Sequence, residues 1–174
     1  LESSKIEETS IQNSQTINVI NEEKIETSNI KDIKDLSSMV SNTNISGIGN
    51  RTDKTITIRG ISNYVALESS VAMYIDDVPV PFSYGFGMLD MQNVKSIEVL
   101  KGSQGTLFGK GAQSGVINVY TKGPSKTFKS KASLSYGSYN TKEFYGMVSG
   151  PTSNEDLTYS FSLTKDSSDG FVTN

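Results

Sequence analysis

Gly109 and Lys110 sit in a stretch that also holds Gly102, Gly105, Gly111 and Gly115, the residue types of a loop that cradles phosphate with backbone N–H groups and a lysine. That motif would place glycine at position 104 and Ser or Thr at position 111, where this chain has Gln104 and Gly111. Gly47-Ile48-Gly49 likewise opens a dinucleotide fingerprint but has Thr52 where its third glycine belongs. Asp76-Asp77 could contribute to a cation site, yet no third carboxylate stands nearby, and the doublet reads better as a pair of turn formers. The chain has no histidine and no cysteine, which excludes disulfides, thiolate metal sites, His-centred triads and most zinc sites. With no paired acid and base in a supporting context, the expectation is a non-enzyme without catalytic residues, metal or resident cofactor. Recognition chemistry remains. Residues 81–87, PFSYGFG, spend three aromatics, Phe82, Tyr84 and Phe86, on a turn-rich loop. Residues 62–70, with Asn63 and Tyr64, form a second candidate ligand-facing loop.

The elements that would position these loops are short. Residues 16–20 read as a strand, and Asn21 is a candidate N-cap with Glu22 and Glu23 in the first helical turn. A second helix is expected after Asn29, carrying Ile30, Ile33, Leu36 and Val40 on one side for packing on a sheet. Residues 41–54 are rich in Ser, Asn, Thr and Gly and read as a loop or a loose strand and turn. Strands are expected at 55–59, 71–75 and 78–80, the last two joined by the Asp76-Asp77 turn. Two β-prone apolar runs, Val94 with Ile97, Val99 and Leu100 and then residues 116–120, flank the glycines. Glycine at that density implies positive φ angles or close backbone approach.

After Pro124 the pattern changes. Phe128, Ser130, Ala132, Leu134 and Tyr136 alternate with Lys129, Lys131, Ser133 and Ser135, and Leu157, Tyr159, Phe161 and Leu163 alternate with Thr and Ser. Residues 143–149 are less cleanly patterned, and residues 150–154 suit a short connection. Runs of this length suit tilted strands crossing a hydrocarbon layer, or a soluble antiparallel sheet with one face on a core. No run approaches the roughly 20 apolar residues of a membrane helix. A net charge of −3 and only two arginines, Arg51 and Arg59, speak against nucleic acid as a partner. The chain opens on Leu1 without a signal-peptide pattern, which suggests a removed leader or a fragment.

Residues 94–124, VKSIEVLKGSQGTLFGKGAQSGVINVYTKGP, together with ITIRGI at 56–61 and VAMYIDDVPV at 71–80, closely resemble the signature of TonB-dependent outer-membrane receptors. YGSYNT, SGP and SDGF further on are similar to the first barrel hairpins of that family. SQGTLFGKGAQSGVINV is most like ferric-siderophore receptors, especially the ferric yersiniabactin and pesticin receptor group. The resemblance implies an α+β plug domain, a small mixed sheet with two short helices, followed by antiparallel strands of a transmembrane β-barrel that is incomplete in this chain. It divides the chain into a flexible segment near the TonB box at 1–16, a plug domain at 17–124 and the first barrel strands at 125–174. Three strands cannot close a barrel, so the chain is expected to be the N-terminal part of a larger receptor.

By the same resemblance, the receptor sits in the bacterial outer membrane with its plug inside the barrel and its N-terminus in the periplasm. Its partners would be TonB with its inner-membrane energising complex, a ferric siderophore or similar ligand, and outer-membrane lipid. Phe82, Tyr84, Phe86, Asn63 and Tyr64 are candidate ligand contacts, with packing of the aromatic rings on the barrel wall or plug core as the competing explanation. Arg59 and Lys101 occupy positions where family plugs carry basic residues that pair with barrel-wall glutamates. Lys101 lacks an arginine's bidentate fork, and a solvated strand-end lysine is the alternative there. Gly60, Gly102, Gly105, Gly109, Gly111 and Gly115 are expected to serve backbone geometry. Residues 5–11, KIEETSI, are compatible with strand addition to TonB, although the family spacing puts the TonB box just upstream. A soluble plug-like binding module, or the same architecture for cobalamin, a sugar or another metal chelate, are the alternative functions.

Overall fold

The computed structural model describes residues 16–28, 30–47, 54–62, 70–81, 89–109, 111–153 and 157–169. The chain divides into two compact units, Leu1–Lys122 and Gly123–Asn174. The first unit opens with β1 (Thr16–Asn21) and α1 (Glu22–Thr27). Asn21 caps that helix, its side-chain oxygen accepting from the Lys24 amide at 3.0 Å, and Glu22 and Glu23 fill the first turn.

The second helical segment starts later than the spacing suggests. It is a 3-10 turn at Ile33–Asp35 that runs into α2 (Leu36–Met39). Asp32 accepts from the Lys34 amide at 3.0 Å, and the Asp35 carboxylate accepts in return from the amides of Asp32 and Lys31. This reciprocal capping box fixes the start at Asp32 and leaves Ile30 upstream of the helix. Ile30, Ile33, Leu36 and Val40 are nevertheless all buried, as their spacing requires.

Next come β2 (Thr43–Gly47), β3 (Lys54–Ile58) and β4 (Ile61–Ser62), a small antiparallel sheet in the order β2-β3-β4. The Ser/Asn/Thr-rich stretch thus contains a paired strand. β5 (Val71–Ile75), β6 (Val78–Val80), β7 (Val94–Lys101), α3 (Gly105–Phe108) and β8 (Gly115–Thr121) complete the unit. The main sheet has the order β1-β7-β8-β5-β6 and is mixed, with β5 and β8 parallel and every other pair antiparallel.

Strands β7 and β8 lie inside the sheet and bury both faces, which is why they read as continuous apolar runs. One face, with Ile97, Val99, Ile117 and Val119, joins Ile25, Ile33, Leu36, Ile45, Ile56 and Ile58 in the main core. The other carries Leu100 and Val116 in a smaller cluster with Ala112, Ile17, Ala72, Tyr74 and Phe108. There the Tyr74 hydroxyl donates to the Phe108 carbonyl at 2.9 Å, with the two rings edge to face at 5.3 Å.

Asp76 and Asp77 form the β5–β6 hairpin turn, both with positive φ, 47° and 65°. That is the primed geometry whose twist matches the flanking strands. The Asp76 carboxylate accepts from the Thr121 amide at 2.8 Å and the Thr121 hydroxyl at 2.6 Å, tying the turn to the end of β8.

The second unit is an antiparallel sheet of β9 (Lys129–Gly137), β10 (Thr141–Pro151) and β11 (Thr158–Ser167), in the order β11-β10-β9. Among the described residues β9 and β11 each pair on one side only. Register and alternation gather Ala132, Leu134, Tyr136, Phe144, Val148, Phe161 and Leu163 on one face. Leu134 on this face is 83% exposed and Phe161 67%. Ser133, Ser135, Glu143, Ser149, Ser160, Ser162 and Thr164 lie on the opposite face, which is mostly polar but also carries Met147 and the buried Tyr145. β10 looked irregular because Gly146 and Gly150 occupy apolar-face positions. A Cβ on Gly146 would meet the Phe144 ring at 3.4 Å, and one on Gly150 would meet Phe128 at 3.2 Å.

Candidate functional site

At the β7 end of the main sheet the chain gathers its two candidate plug–barrel cations. Asn42 and Arg59 both adopt positive φ, 57° and 52°, and the Arg59 amide donates to the Asn42 carbonyl at 2.9 Å. Lys101, the last residue of β7, reaches the same turn. Its ammonium donates to the Ser41 carbonyl at 3.1 Å and to the Ser41 hydroxyl at 3.3 Å. Lys101 is only 6% exposed, so the alternative of a solvated strand-end lysine is corrected. Burying a cation is tolerable here because two oxygens replace water. Ser41 lies sixty residues away in sequence, and no spacing pattern could have named it.

Arg59 is exposed and its guanidinium passes over Gly102. A Cβ on Gly102 would stand 3.2 Å from Arg59 Nη1, and φ at Gly102 is +108°, a conformation side chains resist. Gly115 meets a harder limit: a Cβ there would lie 2.6 Å from the Leu100 carbonyl oxygen and 2.9 Å from Ile58 Cδ1. Gly60 and Gly109 have φ of +81°, and Gly111 is half-buried. Gly105 differs from the expectation. It opens α3, and an added Cβ would meet nothing within 4 Å, so neither angle nor room demands glycine there.

The glycine-rich segment folds back on itself through backbone bonds. Gly102 N–H donates to the Ser114 carbonyl at 2.9 Å, and Gln104 N–H to the Ala112 carbonyl at 2.8 Å. Ser114 in turn donates through both its amide and its hydroxyl to the Ser70 carbonyl, each at 2.8 Å. Ser70 is therefore a fixed anchor for the segment that precedes it. Asn63, Tyr64, Phe82, Tyr84 and Phe86, the candidate ligand contacts, lie outside the described residues. The described flanks of their segments are Ser62 and Ser70 on one side of β5, and Pro81 and Leu89 beyond β6.

Among the described residues no group of three or more His, Cys, Asp or Glu is placed to hold a metal ion, and no helix is long and apolar enough to cross a membrane. The second statement leaves strands untouched, and the exposed apolar face of β9–β11 has the alternation of a strand that meets lipid on one side and water on the other.

Comparisons with known proteins agree with this architecture. A family model described as TonB-dependent Receptor Plug Domain matches residues 9–116. The pesticin receptor of Yersinia pestis is 33% identical over 132 residues, covering 75% of this chain and 19% of that protein. An iron-regulated outer membrane virulence protein of Vibrio cholerae is 31% identical over 126 residues, covering 69% of this chain and 19% of its own length. The chain thus spans about a fifth of these relatives. Among solved structures, the ferric yersiniabactin uptake receptor FyuA from Yersinia pestis superposes with a TM-score of 0.78 at 29% identity, over 87% of this chain and 24% of that one. The ferripyoverdine receptor of the Pseudomonas aeruginosa outer membrane shares the fold, with a TM-score of 0.77 at 23% identity over 94% of this chain and 21% of that one. With more than half its length in the plug match and an antiparallel sheet following, this chain belongs to the TonB-dependent receptor plug domain family.

Proposed function

We propose that this chain is the N-terminal part of an outer-membrane receptor that takes up a ferric siderophore, the first unit being the plug of a β-barrel and the second the barrel's first strands. The observation that carries this reading is the likeness to the ferric yersiniabactin uptake receptor. It covers 87% of a 174-residue chain, about 151 residues, which is more than the 122 of the first unit and so takes in both. In this reading the iron chelate is held at the outer face, and the N-terminus lies in the periplasm within reach of TonB. TonB, drawing on the inner-membrane proton gradient, pulls on the N-terminal segment, and the plug rearranges to let the ligand pass. No bond is made or broken, so the protein acts as a transporter and not as an enzyme.

The two cations take different parts. Arg59, exposed at its turn, is proposed to pair with an acidic barrel-wall residue, and the Lys101 ammonium is held by Ser41 inside the plug. Tyr84 is the proposed ligand-facing tip of its loop.

Uptake of a radiolabelled ferric chelate by cells carrying the full-length receptor tests the reading. Accumulation should require both iron chelate and TonB, and equal accumulation with TonB deleted would sink it. Tyr84→Ala should weaken ferric-chelate binding, and unchanged affinity would remove Tyr84 from the site.

A further inference from the structure

We propose that the outward face of β10 and β11 carries a docking groove for a phosphorylated membrane lipid, whose phosphate is held by Lys142 and Lys165. The proposal rests on the reading of β9–β11 as membrane-crossing strands. Register stacks the outward residues in rows: Ser130, Val148 and Phe161; Ala132, Gly146 and Leu163; Leu134, Phe144 and Lys165; Tyr136, Lys142 and Ser167. The first two rows contain no charge, and both cations fall in the last two, beside the turn at 138–140 that joins β9 to β10.

A groove of about 540 Å³ opens at those rows, lined by Leu134, Tyr136 and Phe144 together with Lys142 and Lys165. Glu143 also lines it, although strand alternation starts its side chain from the opposite face, opposite Ser135. The charges sum to 2 − 1 = +1, which favours an anion. Lys142 and Lys165 are diagonal cross-strand neighbours, about 7–8 Å apart at Cα, close enough for both ammonium groups to reach one phosphate. Among the described residues neither lysine forms an ion pair.

Charge complementarity selects the occupant. An apolar strand face accepts any acyl chain, but two lysines at its margin, lining the same groove as Leu134 and Phe144, call for a headgroup with a compact negative charge at that depth. The turn beside them holds them at the edge of the apolar band, where headgroups lie. The Thr141 amide closes it on the Ser138 carbonyl at 3.2 Å, and the Asp169 amide donates to the Tyr139 carbonyl at 3.0 Å.

The test uses the intact receptor, delipidated in detergent and titrated by native mass spectrometry with bisphosphorylated lipid A, with its dephosphorylated form and with inorganic phosphate. The bisphosphorylated lipid should bind, and the K142Q/K165Q double variant should bind it about thirtyfold more weakly, as expected from two lysine contacts near a charged headgroup. K142R/K165R and, on the opposite face, Lys129→Gln should bind like the parent. Equal affinity in K142Q/K165Q, equal binding of the dephosphorylated lipid, or displacement of the lipid by millimolar phosphate would overturn the proposal. Protease protection of β9–β11 in vesicles separates the two levels: protected strands with an unaffected K142Q/K165Q variant remove only the lipid site, whereas unprotected strands remove the membrane reading as well.

Discussion

Gly115→Ala isolates a close backbone approach in the plug. Gly115 opens β8 between Lys101 of β7 and Val71 of β5, so its backbone is already committed on both sides. Its φ is not in the left-handed region, and alanine carries no angular penalty there. The whole cost is steric. The new methyl would stand 2.6 Å from the Leu100 carbonyl oxygen and 2.9 Å from Ile58 Cδ1. Ile58 can turn its terminal methyl aside, though it is fully buried and must displace neighbours to do so. The Leu100 oxygen can retreat only by widening the β7–β8 ladder. Overpacking of this kind costs about 1–3 kcal/mol, and a weakened ladder bond adds about 1 kcal/mol, so a loss of about 2–4 kcal/mol is expected. Urea unfolding of residues 1–122, the compact first unit, followed by far-UV circular dichroism reads this directly. With m of about 2 kcal/mol/M, the midpoint should fall by roughly 1–2 M. Gly105→Ala serves as the internal control: it opens a helix into free space and should be neutral or slightly stabilising. A Gly115→Ala midpoint within 0.2 M of the parent (an offset of about 0.4 kcal/mol) would refute the steric reasoning.

Three further substitutions probe other features. Asp77→Gly should stabilise the plug by roughly 0.5–1 kcal/mol, because φ of 65° suits glycine better than aspartate; a destabilised variant in the same urea assay would contradict the turn assignment. Asn21→Ala removes the acceptor of the Lys24 amide and should cost about 1 kcal/mol, with faster hydrogen exchange confined to residues 22–27; unchanged exchange would deny the cap. In the intact receptor, Phe161→Arg puts a cation on the apolar face and should cost about 2–4 kcal/mol of folding stability in lipid, whereas Ser162→Arg on the polar face should be tolerated; equal effects would remove the lipid-facing assignment.

Local rules carried much of this fold. The Asn21 cap and the Asp76-Asp77 turn depend on interactions within a few residues, and both could be read directly. The alternation of β9 and β11 was legible because side chains point to opposite faces in turn, but it could not by itself separate a lipid-facing sheet from a soluble one. The start of the second helix was misplaced because Asn29 and Asp32 are both capping residue types, and only the Asp35 carboxylate, reaching back, favours Asp32. The site was less legible. Lys101 was open between a plug–barrel contact and a solvated strand-end lysine, since its partner Ser41 is remote in sequence, and nothing in the spacing of glycines distinguishes the crowded Gly115 from the uncrowded Gly105.

The position of β1 at the edge of the sheet gives the chain an order of disassembly. Among the described residues β1 pairs only with β7, and its loss would leave the β7-β8-β5-β6 ladders intact. It contributes one fully buried apolar side chain, Ile20, and a half-buried one, Ile17, so the core would miss it least among the long strands. Past it, the chain is held by Lys122, which grips Glu22 at 2.7 Å and Glu26 at 4.0 Å. Those carboxylates are about half exposed, so the clasp is weak, on the order of 0–1 kcal/mol. Tension entering from the N-terminal side therefore meets a detachable strip first, then a light fastening to the last residue of the unit beside the buried Ile25, and afterwards Ile30, Ile33, Leu36 and Val40, which are sunk in the main core.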